Sequence, residues 1–559
     1  MSSDQLQLPY AEPIGAPPSA YTLPRDHRIW VNRSLKMEPI QWVGFDMDYT
    51  LAIYKQTEID RLSVQATVAK LLERGYPKEL AQVDFAYEFP VRGLLIDKRF
   101  GHILKMDRYK FVGRAFHGVR ELTRDERRAL YHARKIRPLP PRYHWIDTLY
   151  ALPEAALYAG AVDLLDRFGG AVDYGKLFDD IRQCIDLAHQ DGAIIGPISR
   201  DLPRFISRDR DLAPTLHKLR SAGKKLFVLT NSGWNYTDAM MKYLLENTMP
   251  EYPSWRNFFD LVITASKKPA FFQERRPFLE RVGDQSVPAT SLERGRIYEG
   301  GNLRDFERWL GVQGDAVLYV GDHIFGDILR SKKDTAWRTA MIVQEMETET
   351  IALEQTREQI DTLDALARQR DRLEDELRFR QTRLKMIMRA LGERASGGRA
   401  GTVTSPGLGT SGTLLGDAED AGDDRALEAA PESPAVEVVV GRDAVHAWSA
   451  QVDPIAMATT PAEVQRLEHE RRNEKKSIER IRLALKELDA QTRSTSRAVD
   501  RTFHPYWGSI FKQGVELSSF GDQVEEYACL YTSRVSNFLA YSPLHYYRSP
   551  RDFMPHEVP

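Results

Sequence analysis

Residues 42–55 read WVGFDMDYTLAIYK, and this stretch decides the fold. Trp42-Val43-Gly44-Phe45 is a short apolar run of the kind a strand buried on both faces requires. It leads directly into Asp46 and Asp48, and then Thr50. Paired carboxylates at a strand end, followed by a hydroxyl, suit phosphoryl transfer: one attacks phosphorus while the other delivers or removes a proton. An Asx turn or a helix N-cap also favours Asp and Thr, so the motif alone leaves that plainer reading open.

Three more apolar runs end in the same manner. Lys225 to Leu229 leads to Thr230-Asn231-Ser232, Leu261 to Thr264 leads to Lys268 and Pro269, and Ala316 to Val320 leads to Gly321-Asp322 with Asp327 beyond. Thr230, Asn231 and Ser232 supply a hydroxyl and backbone N–H groups for phosphate oxygens, Lys268 supplies a cation, and the acidic groups suit a hard divalent metal. Ligands of open α/β sheets bind beyond the carboxyl ends of the strands, so these four loops are expected to share one crevice. Short apolar runs alternate with amphipathic helical patterns from Ile29 to Asp334, which predicts an α/β domain with a mainly parallel sheet.

The composition excludes little but directs the search. The chain has 559 residues, 42% hydrophobic and 28% charged, and its 78 Lys+Arg against 80 Asp+Glu leave a formal net charge of -2. No general basic excess points to nucleic acid. Cys184 and Cys529 are far apart and lie in no Cys/His ligand spacing, so neither a disulfide framework nor a zinc site is expected. No stretch approaches the roughly 20 apolar residues of a membrane helix. A cytoplasmic, membrane-free protein is the expectation.

Residues 1–24 read as a flexible N-terminal arm and 25–345 as the core, with the long interval from Asp48 to Thr230 accommodating an inserted cap within about 55–210. Beyond Gln344, apolar residues recur near heptad spacing at Leu353, Ile360, Leu366, Leu373, Leu377, Leu384 and Leu391. A second seam runs through Val464, Leu467, Ile478, Ile481, Leu485 and Leu488, interrupted by Arg471 and Glu474. These predict a coiled-coil-like helical hairpin over 346–395 and 461–498, either a solvated arm of its own domain or a surface for another subunit. The Gly/Ser/Thr/Asp-rich insert, 396–460, is expected to be mostly disordered, and its Gly407-x-Gly409-x-x-Gly412 has no strand before it or helix after it. Residues 499–559 read as a segment returning to the core.

The order Asp-x-Asp-x-Thr, Thr/Ser, Lys, Gly-Asp…Asp resembles the haloacid dehalogenase superfamily of phosphohydrolases. Within it, HRIWVNRSLKMEPIQWVGFDMDYTLAIYK, VLTNSGWNYTD, KKPAFF and GDHIFGDILRSKK are similar to the cytosolic purine 5'-nucleotidases acting on IMP and GMP. The resemblance implies a Rossmann-like core with an inserted cap and a Mg²⁺-dependent phosphoric monoester hydrolase working through an aspartyl-phosphate. By similarity, Asp46 is the nucleophile and Asp48 the acid and base. Thr230 holds the phosphoryl group with Asn231 and Ser232, and Lys268 neutralises charge. Mg²⁺ is bound by Asp46, the Asp48 carbonyl and Asp322, while Asp327 orients the metal's water shell or Lys268. Transfer of phosphate to another nucleoside, action on a non-nucleotide ester, and a low-turnover nucleotide-sensing scaffold are the alternatives.

The same resemblance assigns Arg182 and Asp186 to purine-base recognition, His189 to the same site and Tyr150 to base stacking. Read without it, Arg182 and Asp186 are an i,i+4 ion pair, His189 a satisfied histidine and Tyr150 a core aromatic. The chain departs from the purine pattern at Ile195, where a lysine is usual, and at Asp147 and Ala151, where asparagines are usual. The family's habit of forming dimers or tetramers implies a homo-oligomer. Arg330, Lys332 and Lys333 are either an anionic-effector site or a basic helix end.

Overall fold

The structure is a computed structural model that describes residues 23–132, 135–169, 171–329, 336–392 and 455–551, with Met554 and Glu557 beyond. The Gly407 to Gly412 pattern and the basic cluster at Arg330, Lys332 and Lys333 lie outside the described residues. The described residues form two compact units, those up to 358 together with those from 497 onward, and those between 359 and 496.

The first unit is built on a ten-stranded sheet. Its order is Trp30–Val31, Leu530–Thr532, Arg338–Ile342, Val317–Gly321, Trp42–Phe45, Lys225–Leu229, Leu261–Thr264, Ile297–Gly300, Phe278–Val282 and Gln285–Pro288. All pairings from Leu530–Thr532 through Ile297–Gly300 are parallel, and the two flanks are antiparallel. The fold class is therefore α/β with a parallel-dominated sheet, as expected. The fourth of the expected strands runs Val317–Gly321, one residue later than the apolar run Ala316 to Val320, because Ala316 closes a short 3-10 turn.

The near-continuous apolar strands have a physical cause. Val43, Phe45, Leu226, Val228, Leu318 and Val320 belong to one buried cluster, while Trp42, Phe227, Leu229, Val317 and Tyr319 belong to another. Successive side chains alternate faces, so each strand feeds both cores and has no position for a polar side chain until it ends. Gly44 is needed at the centre: a Cβ there would lie 2.2 Å from the Phe227 ring, opposite it in register.

The chain leaves the core after Asp48 and returns at Lys225, and the short strands Ile53–Tyr54 and Ile206–Ser207 pair where it passes out and back. Between them are an antiparallel five-stranded sheet and the helices Gln56–Glu73, Leu152–Phe168 and Tyr174–Gln190. In this region and the adjoining segment, burial pushes the imidazoles of His102, His144 and His504 down to about 4. A lowered folded-state value gives stability that is present above the unfolded value of about 6.5 and is lost as pH falls through about 4. In an NMR titration these three imidazoles are thus expected to stay neutral down to about pH 4, and midpoints near 6.5 would show them to be solvated.

The second unit is a helical hairpin. Its first arm is Arg357–Ala390, not the single helix expected over 346–395, because Met346–Gln355 is a separate helix that belongs to the first unit. The Thr356 hydroxyl bonds back to the Ala352 carbonyl at 2.7 Å, an i−4 bond that bends helices. The second arm, Pro461–Phe503, runs past 498. Glu474, an interruption of the apolar seam, reaches Arg380 at 3.3 Å and Arg383 at 3.9 Å, and Arg370 reaches Asp489 at 3.3 Å. Apolar packing is concentrated where Ile387 and Ala390 meet Leu467.

Candidate active site

The carboxyl ends of the Trp42–Phe45, Lys225–Leu229, Leu261–Thr264 and Val317–Gly321 strands bring the predicted residues together. Lys268 is the hub: its Nζ lies 3.0 Å from Asp46 Oδ1 and 2.7 Å from Asp327 Oδ1, and donates to the Tyr319 hydroxyl at 2.7 Å. Carboxylate oxygens of Asp46, Asp322 and Asp327 all lie within 4.8 Å of one another. Asp327 fits against the strand because residue 321 is glycine; a Cβ there would lie 2.5 Å from Asp327 Oδ2.

The electrostatics follow from burial and from how the acids and the Lys268 ammonium are packed together. Burial pushes the Asp46 carboxyl well up in spite of Lys268, and Asp327, Asp322 and Asp48 add to the effect. Asp322 is pushed up to about 8 by burial and by Asp327, with Arg92 and Lys268 pulling the other way. Lys268 stays charged: burial alone would strip its proton, but Asp327 and Asp46 outweigh burial and raise it.

Both oxygens of Asp48 accept hydrogen bonds, from the Tyr54 hydroxyl at 2.5 Å and the Ser232 hydroxyl at 2.6 Å. Burial raises its pKa, and these two bonds counter part of the rise. Thr230 is fully buried, and its Oγ1 accepts from the Ser232 N–H at 3.1 Å. Asn231 braces the lysine loop: its Oδ1 accepts from the Lys268 N–H at 2.6 Å and the Ser266 hydroxyl at 3.0 Å, and its Nδ2 donates to the Lys268 carbonyl at 3.0 Å. That clamp holds a loop in which Ala265 and Lys267 sit at φ 46° and 56°, a left-handed conformation costing L-residues about 1–2 kcal/mol each.

A cavity of about 770 Å³ is lined by Asp46, Asp48, Asn231, Ser232 and Asp322 and also by Tyr150, Arg182 and His189. Tyr150 and His189 lie ring to ring, centroids 4.6 Å apart and planes 34° apart. Tyr150 is 40% exposed, so it is no core aromatic. Arg182 is held by the fully buried Glu154 and lies 3.8 Å from Asp186. Asp186 is half exposed and absent from the cavity wall, whereas Asp147, Ala151 and Ile195, the three departures, all line it. The sites of divergence therefore face the space a substrate would occupy.

The parallel-dominated sheet is the α/β fold the motifs imply, and comparison with known sequences identifies the family. The sequence profile of the 5' nucleotidase family matches residues 29–405 and 437–559. The chain belongs to the 5' nucleotidase family. Curated relatives include a 5'-nucleotidase domain-containing protein of Dictyostelium discoideum, 31% identical over 57% of this chain and 56% of that one. The human 5'-nucleotidase domain-containing protein 2 is 31% identical over 60% of this chain and 66% of its own. The chain thus spans less than two thirds of these relatives. Among solved structures, CbbY of Rhodobacter sphaeroides with phosphate is 16% identical over 54% of this chain and 86% of that one, at a TM-score of 0.22. The haloacid dehalogenase-type hydrolase YfnB of Bacillus subtilis bound to magnesium is 12% identical over 54% and 86%, at 0.18. Both likenesses are too loose to carry an argument.

Sequence reasoning missed four side chains of this family member's site: Tyr54, Tyr236, Tyr319 and Arg92. The first two stand in the quoted DYTLAIYK and GWNYTD segments, and Tyr319 in the Ala316 to Val320 run, where it reads as a strand residue. Arg92 is 1% exposed, donates to the Asp322 carbonyl at 3.0 Å and holds Glu345 through two bonds. No local signal marks it.

Proposed function

We propose that this chain is a Mg²⁺-dependent phosphoric monoester hydrolase acting on nucleoside 5'-monophosphates, with purine nucleotides such as IMP and GMP as substrates. The observation that carries the reading is that Asp46, paired with the buried Lys268, lines a cavity also lined by the Tyr150/His189 ring pair and Arg182. Phosphate chemistry and a flat base would then share one space.

The donor set fits a hard divalent cation. The clustered ligand atoms are all carboxylate oxygens, and burial together with the neighbouring acids raises Asp46 and Asp322, so a cation beside them would be favoured. Asp46 and Asp322, with the Asp48 carbonyl, would hold Mg²⁺, which when bound offsets the repulsion between a carboxylate and a phosphate dianion. Asp327 is committed to Lys268 at 2.7 Å, which suits an orienting role.

The chain's own residues then account for the reaction. Asp46 Oδ attacks phosphorus, the bond from phosphorus to the nucleoside O5' breaks, and the proton on Asp48 goes to that oxygen. In the second half Asp48 takes a proton from water as the water oxygen attacks the aspartyl-phosphate, releasing phosphate and restoring Asp46. Lys268 stays paired with the Asp46 side through both steps. Tyr150 and His189, which line the cavity, would stack on the base, worth about 1–3 kcal/mol per base in comparable stacking sites.

The test is phosphate release from a panel of nucleoside 5'-monophosphates, with and without Mg²⁺ and with inosine as a competing acceptor. Release from IMP and GMP above the pyrimidine nucleotides, lost in chelator, is expected. Preference for pyrimidine nucleotides would overturn the base assignment, and inosine 5'-phosphate formed from GMP would show transfer.

A further inference from the structure

The acid and base of this reading is held by side chains the reaction itself does not name. Tyr54 Oη donates to Asp48 Oδ1 at 2.5 Å, and the same oxygen lies 2.7 Å from Tyr236 Oη. A phenol has one proton, so with that proton on Asp48 the Tyr54 oxygen accepts from Tyr236. The result is a directed chain from Tyr236 to Tyr54 to Asp48, closed on the other carboxylate oxygen by Ser232 at 2.6 Å. A serine hydroxyl swings about its Cβ–Oγ bond, but a phenol oxygen goes only where its ring goes. The Tyr54 ring is 8% exposed and lies against Tyr49, centroids 4.5 Å apart. It stands on the Ile53–Tyr54 strand, which is tied to Ile206–Ser207 where the chain passes to and from the inserted region. Tyr236 comes from the helix Trp234–Leu245, so two separate elements fix the chain. Tyr54 and Tyr236 both line the same cavity as Asp48.

We propose that Tyr54, braced by Tyr236, is a positioning residue that fixes the Asp48 carboxyl in the orientation for proton transfer to the leaving oxygen. This rests on the phosphohydrolase reading above. With one bond accepted at each oxygen, the transferable proton is confined to the remaining lone pairs, and the plane of the carboxyl cannot turn. A proton donor displaced by about 1 Å costs on the order of 10²-fold. That cost depends on the leaving group. A nucleoside leaves as a basic alkoxide unless protonated, whereas p-nitrophenolate leaves readily without a proton.

The experiment compares wild type, Tyr54→Phe and Tyr236→Phe on IMP, glycerol phosphate and p-nitrophenyl phosphate, reading kcat, KM and first-turnover release of the leaving group. Tyr54→Phe is expected to lower first-turnover release from IMP and glycerol phosphate by about 30- to 100-fold, with KM within about 2-fold. First-turnover p-nitrophenol release is expected to stay within about 3-fold of wild type. Tyr236→Phe should show the same pattern at smaller size, and carries the comparison alone if Tyr54→Phe does not fold. Equal losses on alkyl and aryl esters, or undiminished release from the alkyl esters, overturn the proposal. A wild type that cleaves glycerol phosphate but no nucleotide overturns the nucleotidase reading instead, and the alkyl-to-aryl comparison still decides the role of Tyr54.

Discussion

Asp46→Asn is expected to abolish phosphate release from every substrate, by about 10⁴- to 10⁶-fold, the range seen when a nucleophile is removed from a working constellation. The amide has the same shape and keeps one oxygen near Lys268, but it carries no charge to drive attack on phosphorus and cannot form the covalent intermediate. Its effect on stability should be the reverse. Asp46 is buried among Asp48, Asp322 and Asp327, and burial together with those neighbours pushes its carboxyl well up. Replacing it with a neutral group removes one of the charges competing for Lys268, which keeps Asp327 at 2.7 Å. An inactive variant whose melting temperature matches or exceeds wild type is therefore the expected result, as at other sites where function is kept at a cost in stability. Substantial residual turnover in phosphate-release assays would remove Asp46 as the nucleophile.

Lys268→Met should be both inactive and unstable. The lysine side chain is 3% exposed and is within 3.0 Å of Asp46 and 2.7 Å of Asp327 and of the Tyr319 hydroxyl. Methionine fills similar volume but leaves buried acids without their cation, a change that typically costs about 3–5 kcal/mol. Turnover should fall by at least about 10²- to 10³-fold, the effect of losing one charge-stabilising donor. The deficit should depend on pH. Asp322 is raised to about 8, and a raised carboxyl contributes stability that is present below its unfolded value of about 3.8 and is lost as pH rises through about 8. Without Lys268, which now pulls that value down, the loss deepens. The gap in melting temperature between variant and wild type should thus be widest near pH 8 and narrow toward pH 5. Referencing each melt to wild type cancels the histidine effect, which runs in the opposite direction. A gap independent of pH would mean that the lysine contributes packing alone.

Much of the site was legible because its signals are local. A strand buried on both faces must be apolar until it ends, so the first polar residues after each run, Asp46, Thr230 and Asp322, mark the strand ends and hence the crevice. Lys268 needed a second step, since it follows its strand by a loop in which Ala265 and Lys267 turn left-handed. Asn231 and Ser232 show the limit of this reasoning. Their positions were readable, but their side chains serve the Lys268 backbone and the Asp48 carboxylate, partners that no spacing rule specifies. Arg182 had two readings in the sequence, and it does pair with Asp186 at 3.8 Å while also lining the cavity.

The amino-acid sequence by itself determined which strands carry acids and cations at their ends and that a long inserted region separates Asp48 from Thr230. These are properties of short windows, where side-chain alternation and polarity are set by immediate neighbours. Tertiary structure alone decided the sheet order that seats Leu530–Thr532 beside Arg338–Ile342, the Tyr236–Tyr54–Asp48 chain, the reach of Arg92 to the Asp322 carbonyl, and the cavity that Asp147 and Ile195 line together with Asp46, Asp48 and Asp322. Each joins residues far apart along the chain. Whether such groups meet depends on how whole elements pack, and a hydrogen bond made over about 3 Å leaves no periodic trace in the residues that flank it.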